Sequence, residues 1–528
     1  MRSSRAHPGI VFAVIFVGIF LLHIPLLQLP YFWDEAGYYI PAARDLLLSG
    51  SLIPHTTVSN AHPPLVLAWI ALWWKCVGYA AVVTRSAMLV VAAFSLTGVF
   101  RLAERVANTQ VAIAATLCTA LYPVFFAQSS LAQVDLAAAG LMFWGLWAYL
   151  DDRPVATAFW FSLAALAKET AILAPLGLAA WEGLGFVAPQ RFVARYWDDQ
   201  MGRNSAAWSR RVLPLLVPLL PLALWFDYHY EGTGYVFGNP EFFRYNVAAT
   251  LNPLRFVLAL ALRLWQVFVY MHLWVLTLGM LLATLWPPIN DDGVERARIS
   301  IPVQMIFLVV VKVHVVALSL IGGAVLARYM LPAVPLVIIV AVSTLRRRLR
   351  YWPAAVGVVA AAFIVAWFWN PPYGFSPEDN LAYRDYVVLH EDGERFLEAR
   401  YPMADVLTAW PASDELTRPW LGYATRPMQV VRIEDFSLEQ VLSAADFRSH
   451  FEAALVFSTK YEPAHPLADR WRTWADLKQR FFGFHRDLPP EAAARILGGT
   501  VVFSEEHKGQ WIAVIEMEQS EIRNATLR

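Results

Sequence analysis

"PLVLAWIALWWKCVGYA", residues 64–80, decides how the rest of the chain is read, because its crossing or not crossing a membrane sets the side on which every later loop falls. It is apolar but short, and it carries Lys75. Eleven other apolar runs flank it, near 9–29, 82–104, 110–127, 134–150, 154–167, 169–188, 212–229, 255–286, 301–321, 328–345 and 352–369. Lys/Arg excess belongs on the cytoplasmic side. If 64–80 lies along the membrane, that side receives the N-terminal Arg2 and Arg5, then Arg101, Arg105, the 190–211 loop with Arg203, Arg210 and Arg211, and "RRRLR" at 346–350. If it crosses, all but the N-terminus move outside. The non-crossing reading therefore wins, with eleven spans.

The composition agrees with a polytopic membrane protein. Of 528 residues, 58% are hydrophobic and 16% charged, against about 25% charged in ordinary soluble chains. The net charge of zero hides a division: residues 1–370 carry 25 Lys+Arg and 17 Asp+Glu, whereas 371–528 carry 17 and 25. The tail mixes strand-like runs such as "AALVFS" and "TVVFS…WIAVIEM" with helical stretches, which predicts a soluble α/β domain. The first run, after Arg2 and Arg5, has a signal peptide's charge order but is about 20 residues long with no small-residue cleavage site, so it reads as an uncleaved span. Cys76 and Cys118 both sit in apolar runs, which argues against a disulfide framework or thiolate metal site.

On this topology the 30–81 loop, Asp135, Lys168, Glu169, the 230–254 loop, Arg328 and the tail from 371 share one outer face. Ionisable residues at membrane depth are costly unless paired or facing water, so each is a functional candidate. Asp34 and Glu35, within "YFWDEAGYYIPAARDLLLSG" (31–50), either cap an amphipathic surface helix or act chemically at its head. The aromatic residues around them suit an interfacial belt. His62 stands before two prolines, which hold it rigidly. Asp135 opens a span and is either an N-cap or a second acidic site, and Lys168 either marks a turn or binds phosphate. Arg328 either snorkels or grips phosphate with its planar fork. Together these groups suit hydroxyl activation beside a bound phosphate. No Walker loop, GxSxG, HExxH or paired CxxC occurs; no motif demands a cofactor, although the carboxylates leave room for a divalent metal. "RRRLR" is the only dense basic run and serves as a topology anchor, so nothing supports nucleic-acid binding.

In order and spacing, "WDEAGYY" with "AARDLLLSG", "HPPL" at 62–65, Arg85, "QVDLAAAG" around Asp135, "AKET" at 167–170 and "RYMLPAVP" at 328–335 carry a resemblance over residues 9–345. The chain resembles the protein mannosyltransferase and aminoarabinose lipid A transferase group of the GT-C superfamily. The resemblance implies a GT-C-like helical fold with about eleven spans and a C-terminal soluble α/β domain, divided near residue 370. It implies a polyprenyl-phosphate-linked sugar donor, Asp34 as catalytic base, Glu35 as its support, and a lipid, glycan or protein acceptor at the outer face of the inner membrane. His62, Lys168 and Arg328 would bind the donor phosphate, and Asp135 would orient the acceptor. Lipid A transferases typically carry Lys-Pro-Pro where this chain has His62-Pro63-Pro64, as in protein mannosyltransferases, which leaves the acceptor open. The competing reading is a transporter or flippase, in which the same charges would mark a pathway.

Overall fold

The computed structural model describes residues 7–197, 205–238, 252–321, 323–461, 463, 471–482 and 484–518. Arg2, Arg5, Arg203 and much of the 230–254 loop lie outside these residues. The chain divides into two compact units: a helical one, Met1–Pro25 with Ala42–Trp369, and a sheet-containing one, Leu26–Pro41 with Asn370–Arg528. Residues 26–41 therefore group with the tail, 329 residues further on in sequence at the nearest (370 less 41), rather than with the spans that flank them.

In the helical unit, five helices among the described residues are long and apolar enough to cross a membrane: Pro8–Leu26, Ala81–Val106, Glu169–Val187, Trp208–Thr233 and Ile301–Leu320. A sixth candidate is a broken one. The single span expected over 255–286 is two helices, Pro253–Phe268 and Leu273–Ala283, bent by 77°. At the break Met271 (φ 46°) and His272 (φ 64°) take left-handed backbone, which no α-helix can continue through. His272 Nδ1 lies 2.9 Å from the Ala362 carbonyl, which holds the corner. Other expected spans are shorter helices: Thr109–Leu121, Val134–Leu150, Pro154–Ala167 and Trp352–Phe368. At 1.5 Å per residue these reach about 20–26 Å, less than the roughly 30 Å of a hydrocarbon core. Punctuation explains the lengths, with Asn108 capping the first by accepting the Val111 N–H and Tyr122-Pro123 ending it. The 64–80 run is likewise a short helix, Leu65–Val77.

Small residues let these helices approach closely. A Cβ on Gly140 would sit 1.8 Å from Ser95 Oγ, so any larger residue would force Val134–Leu150 away from Ala81–Val106. The 51–63 loop is pinned in three places. Asp45 Oδ2 accepts the backbone N–H groups of His55 (2.7 Å) and Thr56 (2.8 Å). Trp225 donates to the Ala61 carbonyl at 2.9 Å, and Ser59 Oγ lies 2.8 Å from His229 Nε2.

The second unit is built on a five-stranded sheet, in the order 429–433, 405–409, 453–457, 510–517, 499–507. The first three strands are parallel and the last three antiparallel. Strand Ala453–Phe457 is buried at every position, as a central strand covered on both faces must be. Helix Ala382–Arg400 packs on the two C-terminal strands.

Candidate functional site

In the helical unit, three of the singled-out residues form one buried ion cluster. Asp135 lies in the first turn of Val134–Leu150, where the helix N-terminus favours a negative charge. Lys168 follows helix Pro154–Ala167 in extended backbone (φ −154°, ψ 132°), and its Nζ donates to Asp135 Oδ1 at 2.5 Å. Arg328, in the turn Ala327–Met330, places Nε 3.2 Å from Asp135 Oδ2 and pairs with it electrostatically. All three side chains are at most 7% exposed.

The Tyr329 ring gathers the positive charge. Lys168 Nζ lies 3.9 Å from its centroid, and the guanidinium carbons of Arg263 and Arg328 lie at 5.4 and 5.6 Å. Such contacts favour cations over an aromatic face. The sequence reading did not single out Arg263, nor Arg255 one helical repeat before it. Both are buried on Pro253–Phe268 and donate to the loop that leads into Arg328: Arg255 to the Gly323 carbonyl (2.9 Å), Arg263 to Ala324 (3.1 Å) and Leu326 (2.7 Å). Gln266 adds a bond to Val325 at 2.8 Å. The signal available was the run "RFVLALALRLWQ", with cations eight residues apart on one face of an apolar helix.

His62 does not join this cluster. Its Nδ1 pairs with Glu169 Oε2 at 2.7 Å, so the adjacent Lys168 and Glu169 serve different partners. Arg85, buried, donates to the Ser130 carbonyl at 3.0 Å and holds the turn before Asp135.

Asp34 and Glu35 belong to the sheet-containing unit. The expected helix opens as a π-helical turn over Glu35–Tyr39, mostly buried, and runs into an α-helix over Ile40–Ser49 that is buried at its start and exposed at Leu48 and Ser49. Glu35 is fully buried and its Oε2 accepts the Phe32 N–H at 2.9 Å. Asp34 is half-buried and makes no capping bond to the turn that follows. The flanking aromatic residues are not a lipid belt. Phe32 packs edge-on against Tyr386 (5.2 Å), and Trp33 against Tyr386 (5.6 Å) and Trp410 (5.2 Å). Tyr423 donates its hydroxyl proton to the Tyr31 carbonyl. Each of these partners lies in the tail, whose aromatic surface competes with lipid for the same side chains. Trp33 is held at φ 45°, a strained conformation for a bulky residue, immediately before Asp34.

No protein-family model matches the sequence, and none of the curated proteins matches it at the sequence level. The structure does match solved ones. ArnT from Cupriavidus metallidurans bound to undecaprenyl phosphate aligns with a TM-score of 0.55 and 13% identity over 96% of this chain and 97% of its own. The same protein in the apo state gives 0.55 and 15% over 96% and 98%. The oligosaccharyltransferase AglB from Archaeoglobus fulgidus, in complex with an inhibitory peptide and a dolichol-phosphate, gives 0.47 and 12% over 96% and 73%. The fold is thus shared with ArnT over nearly the whole of both chains. This chain's apolar helices and its fold are those of a multi-pass membrane protein.

Proposed function

We propose that the chain transfers a sugar from a polyprenyl-phosphate-linked donor to an acceptor hydroxyl or phosphate on a lipid, glycan or protein. The observation that carries this reading is the Lys168–Asp135–Arg328 cluster. Two cations meet one carboxylate there, with Arg263 at the same aromatic ring, so a net positive charge is held at low exposure in a membrane-spanning unit. Such a group of donors suits a lipid-linked phosphate, and ArnT with undecaprenyl phosphate bound shares the fold.

In this reading Asp34 removes the acceptor's proton as the acceptor oxygen attacks the anomeric carbon from the face opposite the phosphate. The C–O bond to phosphate breaks, polyprenyl phosphate leaves with the electron pair, and the configuration inverts. Lys168 and Arg328 stabilise the charge growing on the departing phosphate. Glu35 acts on Asp34 through the backbone, by fixing Phe32 and with it the turn that presents its neighbour. His62 pairs with Glu169, the sequence neighbour of the phosphate-binding Lys168, and so acts on that lysine through the turn they share. The short helices complete eleven spans, 64–80 lies along the membrane, and the catalytic loop and the tail from about 371 face outward from the inner membrane.

The test is release of polyprenyl phosphate by the purified full-length protein, given undecaprenyl-phosphate-linked sugars and cell-envelope acceptors. Asp34→Asn is expected to lower the rate by about 10²- to 10⁴-fold while the protein still folds and inserts. Glu35→Gln, which keeps an oxygen for the Phe32 N–H, is expected to retain most activity, whereas Glu35→Ala loses it. A near-normal rate in Asp34→Asn refutes the base assignment. Movement of the intact donor across liposome membranes without cleavage would instead establish transport.

A further inference from the structure

The sheet-containing unit buries a second set of chemically capable side chains that the transfer reaction does not use. His390 and Glu394 stand four residues apart on helix Ala382–Arg400 and therefore share one face. Glu415 comes to them from the short helix Ala412–Thr417. One ligand atom from each residue lies within 4.8 Å of the others, and all three residues are at most 1% exposed. His390 Nδ1 lies 2.7 Å from Glu415 Oε2.

The remaining polar atoms are not accounted for by hydrogen bonds. Both oxygens of Glu394, the other oxygen of Glu415 and Nε2 of His390 are buried without a partner. The Tyr386 hydroxyl, one turn before His390 on the same helix, is in the same state. Native interiors rarely leave such groups unsatisfied, and a bound ion is one reason for the arrangement when they do. Two carboxylates this close, with a single imidazole between them, are poorly matched in charge as they stand.

We propose that His390, Glu394 and Glu415 bind a divalent transition-metal cation, with Zn²⁺ the best match to one imidazole and two carboxylates. A dication balances two ionised carboxylates and gives the orphaned oxygens a partner. Zinc–ligand bonds of about 2.0–2.2 Å at tetrahedral angles place ligand atoms roughly 3.3–3.6 Å apart. That separation falls between the 2.7 Å His390–Glu415 contact and the 4.8 Å span of the set, so small side-chain rotations suffice. Three protein ligands leave a fourth position for water or a phenol.

The position of the cluster gives the cation a structural task. Tyr386 stacks on the His390 ring at 4.0 Å and receives Phe32 and Trp33 edge-on. Fixing His390 fixes the aromatic stack on which the residues just before Asp34 rest. The binding site itself does not depend on the glycosyl-transfer reading.

Untagged full-length protein in detergent, stripped with EDTA, equilibrated with micromolar Zn²⁺ and desalted, provides the test by elemental analysis and thermal melting. About one zinc per chain and a higher melting temperature with zinc are expected. Glu394→Gln should bind at least about tenfold more weakly, while Glu439→Gln, an exposed control, should bind as the parent does. Retention of no zinc by the parent protein overturns the proposal without recourse to any variant. Equal zinc retention by Glu394→Gln also overturns it.

Discussion

Replacing Asp135 by Asn removes the one carboxylate between Lys168 and Arg328 while keeping the shape of the side chain. At separations of 2.5 and 3.2 Å and an effective dielectric of about 20, the two attractions are each on the order of 5 kcal/mol before desolvation is subtracted. Breaking a buried pair by deleting one partner typically costs about 3–5 kcal/mol net, because an uncompensated charge is left behind. Here two cations lose their partner at once, so Asp135→Asn should fall at the upper end of that range. Lys168→Met leaves Arg328 paired with Asp135 and should cost less. The decisive variant is the double one, since removing Lys168 from the Asp135→Asn protein also removes one of the stranded charges. The coupling between the two sites should therefore be about 1–3 kcal/mol and favourable to the double variant. Thermal unfolding of the four purified proteins in one detergent reads this directly. Of the single variants Asp135→Asn should melt lower, and Asp135→Asn/Lys168→Met should melt above the value expected from adding the two single losses. Additive losses, or a parent-like melting temperature for Asp135→Asn, would refute the buried cluster.

Two further outcomes follow from the packing around the same groups. Arg263→Ala removes donors to the Ala324 and Leu326 carbonyls, and charged hydrogen bonds of this kind contribute about 1.5–3 kcal/mol. The loop leading into Arg328 should loosen, and kcat/KM for the lipid-phosphate donor should fall by roughly 10- to 100-fold, mostly through KM. In the other unit, a Cβ on Gly37 would lie 2.6 Å from the Trp410 ring, so Gly37→Ala must push the indole away. Overpacking of this kind costs about 1–3 kcal/mol. The variant should melt lower and transfer sugar more slowly, and Gly37→Ala/Trp410→Phe should recover part of both.

The helical character of residues 8–369 and the strands of the tail were legible because hydropathy and period are local properties of the chain. "AALVFS" and "WIAVIEM" read as strands and are strands, at Ala453–Phe457 and within Gln510–Met517. The 77° break at Met271–His272 was not legible, since neither residue is a glycine or proline and left-handed backbone at such positions is imposed by packing. Asp135, Lys168 and Arg328 could be picked out one by one by the cost of a charge at membrane depth. That Lys168 and Arg328 meet on the same carboxylate, while His62 pairs with Glu169, depends on contacts between different helices and turns, 33 residues apart in sequence at the nearest, and has no local signature. Arg255 and Arg263 lie within the apolar run 255–286, and that both donate to loop carbonyls, 68 and 63 residues on respectively, is decided by tertiary contacts alone. "HEDGE" at 390–394 holds the i,i+4 spacing of His390 and Glu394, but Glu415 has to arrive from another helix before the pair becomes a cluster.

By itself the sequence determined that this chain is a membrane protein with an acidic appended domain, and it named the charges that need a reason to be where they are. Both conclusions rest on transfer energetics, which depend on residue type and local order. Tertiary structure decided which charge neutralises which, and it reversed the reading of the 31–39 aromatic residues. Their apolar rings could have been buried by lipid or by protein with similar gain. Only the folded tail, bringing Tyr383, Tyr386, Trp410 and Tyr423 to them, selected protein.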